Sequence, residues 1–155
     1  MIALIAAVSR NNVIGNKGCI PWKIKGEQKR FKELTVGKTI VMGKRSFQEI
    51  GKPLADRKTI LVSKTISYED ENCKTADSLE EALKLAGNTD VFIAGGEQLY
   101  REALPLADKL YITRVDIEVQ GDTFFPEFSE KDFVKVSEEE MEGEICYKYI
   151  TYERR

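Results

Sequence analysis

One acidic residue in the sequence lies on the apolar side of a predicted helix. The segment Ile24–Thr35 reads IKGEQKRFKELT, and at about 100° per residue Ile24, Phe31 and Leu34 fall within one arc of about 80°. Glu27 falls inside the same arc. A carboxylate on an apolar face is costly to bury unless another group offsets its desolvation. Glu27 could instead occupy the first turn of the helix, half exposed, where the macrodipole favours an acid.

If Glu27 lines a ligand cleft, burial would raise its pKa above the usual value of about 4.3. A carboxylate in that setting would bind a cationic or amide-like ring. The chain contains no histidine, which excludes nucleophiles paired with imidazole, histidine-dependent zinc sites and proton relays through imidazole. We therefore expect no metal site, and Glu27 is the first candidate for acid–base chemistry.

An apolar strand followed by paired glycines predicts a place where backbone could approach a phosphate. Val91–Tyr100 reads VFIAGGEQLY, in which Gly95 and Gly96 separate a strand from the start of a helix. This arrangement lets N–H groups reach an anion at the positive end of a helix, although two glycines can also form a simple tight turn.

Two more predicted strands end in cationic or hydroxyl residues. Thr39–Ser46 (TIVMGKRS) places Lys44 and Arg45 after its glycine, and Ile60–Thr65 (ILVSKT) ends with Ser63 and Lys64. Each segment alone is consistent with a solvated strand end. In a parallel sheet, however, the carboxyl ends of the strands share one edge, and ligands bind at that edge.

The segment Val13–Trp22 (VIGNKGCIPW) is predicted to be a loop. Gly15 and Gly18 give it conformational freedom, and Pro21 limits where it ends. It could be a surface connection capped by a buried Trp22, or a lid over the cleft that contains Glu27.

Buried strands that alternate with helices predict an α/β fold with a mostly parallel sheet. Ser78-x-x-Glu81 is a capping box, and Gly87 is a helix stop signal. The predicted strands are Met1–Val8, Thr39–Met42, Thr59–Val62, Val91–Ala94, Leu110–Val115, Phe133–Ser137 and Ile145–Glu153, and the predicted helices are Ile24–Thr35, Arg45–Ile50, Ser78–Ala86 and Glu97–Leu104. Gly143 lies between the last two strands, which favours a terminal antiparallel hairpin.

Length and composition limit the remaining classes. The chain has 155 residues with 42% hydrophobic content, which suits one domain over residues 1–155. Its formal charge is -2, so no basic face for nucleic acid is expected. The N-terminal apolar run is too short to span a bilayer or act as a signal sequence. We therefore expect a cytoplasmic protein, and no sequence feature suggests anything but a monomer. The three cysteines are odd in number and widely spaced, so we expect them to be reduced thiols.

Taken together, these motifs resemble those of dihydrofolate reductases. The similar motifs occur in the order found in that family, and they are VIGNKGCIPW, Glu27, TIVMGKRSFQEIG, PLADRKTILVS, FIAGGEQLY and GDTFFP. The resemblance implies an eight-stranded, mainly parallel sheet flanked by helices, with one antiparallel C-terminal strand. It also implies NADPH-dependent reduction of 7,8-dihydrofolate to 5,6,7,8-tetrahydrofolate, binding of antifolate inhibitors, and a peptide bond between the paired glycines that is often cis.

The resemblance further implies a role for individual residues. Glu27 would bind the 2-amino group and adjacent ring nitrogen of the pterin, Trp22 and Thr113 would order a water and the acid, and Arg57 would bind the α-carboxylate of the substrate. The implied substrate positions are Ile5, Ala6, Glu27, Gln28, Phe31, Ile50, Lys52, Leu54, Arg57, Ala94, Tyr100 and Thr113. The implied cofactor positions are Ala7, Ile14, Gly15, Ile20, Gly43, Lys44, Arg45, Ser46, Val62, Ser63, Lys64, Ala94, Gly95, Gly96, Gln98, Leu99, Tyr100 and Thr123.

Several residues depart from the usual bacterial pattern of this family. Glu27 stands where bacterial members usually carry Asp, and Ala94 replaces a larger branched residue. Ile20 replaces a frequent Met, Gln28 a frequent Leu, Lys44 an Arg, and Glu97 a third Gly. The departures in the cleft and lid, at Glu27, Ala94, Ile20 and Gln28, predict weaker binding of trimethoprim. Those at Lys44 and Glu97 predict a modest weakening of cofactor binding.

Two alternative functions remain open at the level of the sequence. One is a pyrimidine or pteridine reductase on a related fold, against which the combination of Arg57 and Glu27 argues. The other is a non-catalytic nucleotide-binding module, which would need the phosphate segments but neither an acid on an apolar face nor a lid.

Overall fold

The computed structural model describes residues 1–15, 27–50 and 56–155, without the side chains of Glu27, Gln28 and Ile50. The strands are β1 (Ile2–Ser9), β2 (Val13–Gly15), β3 (Thr39–Gly43), β4 (Lys58–Val62), β5 (Cys73–Ala76), β6 (Val91–Ile93), β7 (Lys109–Val115), β8 (Thr123–Phe124), β9 (Phe133–Met141) and β10 (Tyr147–Arg154). The helices are α1 (Glu27–Thr35), α2 (Lys44–Ile50), α3 (Leu79–Ala86) and α4 (Glu97–Ala103), followed by a short 3-10 turn at Leu104–Leu106.

Eight strands in the described part of the chain form one sheet in the order β5-β4-β3-β6-β1-β7-β10-β9. Seven of them run in the same direction, and β10 runs antiparallel to both β7 and β9. This confirms the expected α/β fold with a mostly parallel eight-stranded sheet and one antiparallel C-terminal strand. The hairpin of β9 and β10 also confirms the predicted antiparallel pair at the end of the chain.

The apolar run at the N-terminus forms a buried strand near the centre of the sheet. Ala3, Leu4 and Val8 on β1 are completely buried, and β1 lies between β6 and β7. Because Ala3 and Leu4 point to opposite faces of the sheet, both faces are covered at this strand. The chain builds β3, β4 and β5 on one side of β1, returns with β6 between β3 and β1, and continues with β7 on the other side. Such a reversal in strand order is where open α/β sheets bind ligands at their carboxyl edge.

Helix α3 begins and ends where its sequence signals predict. The Ser78 side chain accepts a hydrogen bond from the Glu81 N–H at 3.1 Å, and Gly87 ends the helix with a φ of 64°, a conformation that glycine adopts without steric cost. Leu79, Ala82 and Ala86 are buried against the sheet. Among the described helices, none is both long and apolar enough to cross a membrane.

Three short strands were not predicted. β5 spans only four residues, of which Cys73 and Ala76 at its ends are buried, and it pairs with β4. β2 and β8 form a separate two-stranded sheet, so the prediction of a loop over Val13–Trp22 is wrong for its first three residues. The rest of that segment, and the predicted start of α1 at Ile24, lie outside the described residues.

Candidate active site

The carboxyl ends of β3 and β6 meet at the paired glycines. The N–H of Gly43 donates to the carbonyl of Gly95 at 2.8 Å, and the N–H of Ala94 donates to the carbonyl of Val41 at 2.9 Å. The peptide bond between Gly95 and Gly96 is cis. Two of the predicted phosphate segments are therefore held side by side at one edge of the sheet.

The paired glycines differ in what surrounds them. Gly95 has a φ of 113°, and a Cβ at this position would lie 2.7 Å from Ser46 Oγ and 3.5 Å from the Tyr100 hydroxyl. A side chain at Gly95 is therefore excluded by both backbone conformation and space. A Cβ at Gly96 would meet nothing within 4 Å, so the backbone at Gly96 is open to a ligand.

Exposed cations border this edge. Lys44 and Arg45 are exposed at the start of α2, directly after the end of β3. Neither forms an ion pair with a carboxylate in the described residues. They are available to bind an anionic ligand.

A polar depression follows the end of β4. The Ser63 hydroxyl accepts hydrogen bonds from the N–H groups of Thr65 at 3.2 Å and Ile66 at 3.1 Å, so it also stabilises its own turn. Lys64 is exposed beside it. The depression has a volume of about 290 Å³ and is lined by Ser63, Lys64, Thr65, Ile66, Ser67, Glu69, Thr75 and Asp77. Glu69 and Asp77 add negative charge beside Lys64, a feature that the strand-end pattern did not predict.

A buried tyrosine connects α4 to the central strand. The Tyr100 hydroxyl donates to the main-chain carbonyl of Ile5 at 2.7 Å, and burial raises the pKa of this hydroxyl well above its usual range. Ile5, Ala6 and Ala7 follow one another on β1. The hydrogen bond therefore fixes the predicted ligand-contacting part of β1 relative to the helix after the paired glycines.

Thr113 lies next to the same part of β1. It is 4% exposed and occupies the position on β7 opposite Ala7 on one side and Tyr149 of β10 on the other. Tyr149 in turn lies under α1, since the guanidinium of Arg30 is 3.8 Å from the centre of the Tyr149 ring. The structure thus brings α1, β10 and Thr113 together on one side of the sheet.

Arg57 is held at the end of α1 away from Glu27. Its side chain is 8% exposed, its Nη1 donates to Thr35 Oγ1 at 3.2 Å, and its guanidinium lies 5.9 Å from the centre of the Phe31 ring. Burial lowers the pKa of Arg57, with Asp56 acting in the opposite direction. Arginine remains charged despite such a shift. A fixed guanidinium beside an aromatic ring suits recognition of a carboxylate.

Thr35 contacts the predicted site residue Arg57 but was not itself predicted from the sequence. Its hydroxyl donates to the Phe31 carbonyl at 2.6 Å and accepts from Arg57. Threonine near a helix end often bonds to the carbonyl four residues earlier, which is the signal that the sequence contains. The contact with Arg57 depends on the path of the chain after α2 and has no local signal.

The β2–β8 sheet carries further predicted cofactor positions. Ile14 and Gly15 lie on β2, and Thr123 on β8 pairs with Gly15. The Asp122 N–H donates to the Gly15 carbonyl at 3.1 Å. A Cβ at Gly121 would lie 2.7 Å from that carbonyl and still closer to Val13, so glycine is required for this approach.

The remaining predicted residues divide into two groups. Val62 lies at the end of β4, Gln98 is exposed on α4, Leu99 is buried on α4, and Ala94 is half-buried after β6. Ile20, Trp22, Lys52 and Leu54, together with the side chains of Glu27, Gln28 and Ile50, lie outside the described residues. Glu27 is the first residue of α1 that the structure describes.

Gly43, Gly95 and Gly96 form one part of the carboxyl edge of the sheet, here called the glycine edge. Together with the sheet topology and the adjoining cations, this edge defines the chain as an α/β protein of a nucleotide-binding type. A model of the dihydrofolate reductase family matches residues 1–154. The chain belongs to the dihydrofolate reductase family and is an enzyme.

The chain is also similar to individual dihydrofolate reductases over most or all of its length. It is 44% identical over 83% of its length to the type 3 dihydrofolate reductase of Salmonella typhimurium, covering 80% of that protein. It is 38% identical over 99% of its length to the type A13 dihydrofolate reductase of Escherichia coli, covering 94% of that protein. The structure of Enterococcus faecalis dihydrofolate reductase complexed with NADP(H) and RAB-propyl matches with a TM-score of 0.91 and 33% identity, covering 100% of this chain and 96% of that one.

Proposed function

We propose that this protein reduces 7,8-dihydrofolate to 5,6,7,8-tetrahydrofolate with NADPH. The main support is the edge of the sheet where the Gly43 N–H donates a hydrogen bond to the Gly95 carbonyl and the backbone of Gly96 is open. The chain that forms this edge matches the dihydrofolate reductase family over residues 1–154. The open backbone at such an edge can bind the phosphates of a dinucleotide. Arg57 and Phe31 can bind the glutamate end of a folate.

The residues at this edge fit a phosphorylated nucleotide. Gly96 leaves room for close approach to the backbone, and the exposed cations Lys44, Arg45 and Lys64 can form charge-assisted hydrogen bonds with phosphate oxygens. NADPH, when bound, supplies the hydride. The residues that would hold NADPH are the cofactor positions given above. Lys64 follows β4, whereas Ala7 on β1, Ile14 and Gly15 on β2, and Thr123 on β8 would contact the part of the cofactor that lies away from Lys64.

The two ends of the substrate require different chemistry. The planar guanidinium of Arg57, held by Thr35, matches the α-carboxylate of the glutamate moiety. The pterin carries an amino group beside a ring nitrogen, and a carboxylate can accept hydrogen bonds from both. We assign this second role to Glu27, about two helical turns before Thr35 on α1. Phe31, Ile5, Ala6 and Ala94 would supply the apolar walls between them.

The reaction adds a hydride to C6 and a proton to N5 of the substrate. Protonation of N5 makes C6 a better hydride acceptor, because negative charge would otherwise develop on nitrogen. We propose that water delivers this proton and that the Glu27 carboxylate favours the protonated ring electrostatically. Thr113, buried beside Ala7, would hold the carboxylate in place, and Trp22 would order the water.

The decisive experiment follows the loss of NADPH absorbance with purified protein and dihydrofolate. We expect NADPH loss that depends on both compounds, with one tetrahydrofolate formed for each NADPH consumed. A parallel reaction with a dihydropterin that lacks the benzoyl-glutamate tail should be much less efficient. Equal efficiency with the tail-free compound would favour a pteridine reductase, and NADPH binding without turnover would favour a nucleotide-binding module.

A further inference from the structure

Arg114 on β7 connects three segments of the chain. Its Nη1 donates to the main-chain carbonyl of Ser9 at 3.0 Å and to Asn12 Oδ1 at 2.8 Å. Ser9 is the last residue of β1, and Asn12 directly precedes β2. Among the ion pairs of the described residues, none includes Arg114. This cation is therefore used to bind the β1–β2 turn, which comprises Ser9–Asn12.

The β1–β2 turn contains a residue in a left-handed conformation. Asn12 has a φ of 64°, a left-handed conformation that asparagine tolerates better than most residues. The Asn12 N–H donates to the Ser9 carbonyl at 3.1 Å, so this one carbonyl accepts from both Asn12 and Arg114. Burial lowers the pKa of Arg114, but arginine stays charged and its hydrogen bonds are accordingly strong.

The same turn determines where β2 lies. The Ser9 hydroxyl accepts from the Val13 N–H at 2.9 Å, and the Asn12 carbonyl accepts from the Phe125 N–H at 2.9 Å. These bonds join the start of β2 to β1 and to the residue after β8. Ile14 and Gly15 follow on β2, and both are positions at which we propose cofactor contact.

We propose that Arg114 is a positioning residue for the cofactor, because it fixes the β1–β2 turn and through it the cofactor-facing residues of β1 and β2. The inference rests on the proposed function. Arg114 touches neither substrate nor cofactor in this account. Its loss should displace Ile14 and Gly15 relative to Ala7 and leave Arg57, at the folate tail, in place.

The main variant is Arg114→Met, which keeps most of the aliphatic stem and removes the donors. We expect the NADPH dissociation constant, measured by protein fluorescence without substrate, to rise by about tenfold, since small misplacements of binding groups have effects of this order or greater. Dihydrofolate KM at saturating NADPH should change by less than about threefold. Arg114→Lys, which retains one cationic donor, should give an intermediate dissociation constant.

Arg154→Met is the matched control. Arg154 also donates to main-chain carbonyls, those of Ala107 and Leu104, both at 2.7 Å, but it lies at the opposite edge of the sheet, where β10 ends beside the start of β7. Its removal can lower Tm as the loss of Arg114 can. We expect its NADPH dissociation constant to stay within about twofold of that of the unmodified protein. An equal change in both variants would overturn the proposal.

Asn12→Gly provides a second, independent test. Glycine tolerates the positive φ but removes the side-chain acceptor of Arg114. We expect a rise in the NADPH dissociation constant in the same direction, and a double variant with Arg114→Met that is clearly less impaired than the sum of the two single effects. Simple additivity would contradict the proposed linkage.

Hydrogen exchange of the free protein supplies a readout that needs no ligand. In Arg114→Met, the N–H groups of Val13, Asp122 and Phe125 should exchange faster, whereas those of β3 and β4 should not. Unchanged exchange at these three amides would overturn the inference. If the unmodified protein neither binds nor oxidises NADPH, the proposed function fails instead, and the two failures are thus distinguishable.

Discussion

The hydroxyl of Tyr100 donates a hydrogen bond to the main-chain carbonyl of Ile5 at 2.7 Å, and so joins helix α4 to the central strand of the sheet. Tyr100 is 5% exposed, so the Ile5 carbonyl has little access to water from that side. The contact determines how the helix after the paired glycines sits against the part of β1 that we assign to ligand binding.

Replacing this tyrosine tests the contact. Tyr100→Phe should lower the free energy of unfolding by about 1–3 kcal/mol, because a buried carbonyl loses its partner. It should also weaken NADPH binding, since α4 carries several proposed cofactor positions. Urea denaturation and fluorescence titration measure the two effects. Tyr111→Phe, a half-exposed tyrosine on β7, is the control; the account fails at this point if both variants lose the same stability.

Arg57→Lys tests recognition of the folate tail. Lysine keeps the charge but cannot form two parallel hydrogen bonds with a carboxylate. We expect the KM for dihydrofolate to rise by about tenfold or more, with NADPH affinity unchanged. The control is a substrate without the glutamate tail, which should be reduced equally well by both proteins. A similar loss with the tail-free compound would show that Arg57 acts on the fold instead.

Cofactor preference tests the cations at the glycine edge. NADPH should be strongly preferred to NADH, because each charge-assisted bond to the additional phosphate contributes about 1.5–3 kcal/mol. Removing Lys44 and Arg45 together by alanine substitution should raise the dissociation constant of NADPH and leave that of NADH nearly unchanged. Alanine at Lys131 and Arg155, at the opposite end of the sheet, is a charge-matched control. An equal loss for both cofactors would assign these cations another role.

Glu27→Gln tests the proposed electrostatic role of this carboxylate. Hydride transfer at neutral pH should slow by about 10²-fold or more, because the protonated ring loses the negative charge that stabilises it. Glu33→Gln removes an exposed carboxylate from the same helix, where Glu33 forms a 4.0 Å ion pair with Lys29, and should leave the rate nearly unchanged. Single-turnover kinetics measure both. A rate within a few-fold of the unmodified protein would remove Glu27 from the mechanism.

Inhibitor binding tests two departures from the usual family pattern. Trimethoprim should bind about 10- to 70-fold more weakly than to typical bacterial members, because Glu27 adds a methylene and Ala94 offers less apolar surface, at about 0.8 kcal/mol per buried CH₂. Methotrexate should lose less, since its tail can still reach Arg57. The double variant Glu27→Asp, Ala94→Ile should recover trimethoprim affinity. Unchanged inhibition in an active double variant would exclude these two positions as the cause.

Local signals in the sequence were sufficient to predict most of the fold. The Ser78 capping box and Gly87 delimit α3, and the continuous apolar run at the N-terminus predicts a central buried strand. β5 has no such signal: it exists through its pairing with β4, with Thr59 opposite Cys73. A four-residue strand with exposed Lys74 resembles a loop when it is considered alone.

Part of the candidate site could likewise be predicted from the sequence and part could not. The meeting of β3 and β6 at Gly43 and Gly95 follows from the shared edge of a parallel sheet. The bond between Arg57 and Thr35 could not be predicted, because it depends on the turn at Asp56, whose φ is 59° and whose carbonyl accepts from the Gly37 N–H at 2.9 Å. Aspartate adopts a positive φ only occasionally, so the residue type of Asp56 does not reveal that approach.

Isotope transfer is the most direct test of the central claim, that this protein moves a hydride from NADPH to dihydrofolate. Purified protein is incubated with dihydrofolate and NADPH that carries deuterium in the transferred position at C4 of the nicotinamide, and the product is analysed by mass spectrometry and NMR. We predict tetrahydrofolate that carries one deuterium at C6, with its N5 proton drawn from solvent. NADPH loss without deuterium at C6, or no NADPH loss at all, would contradict the account.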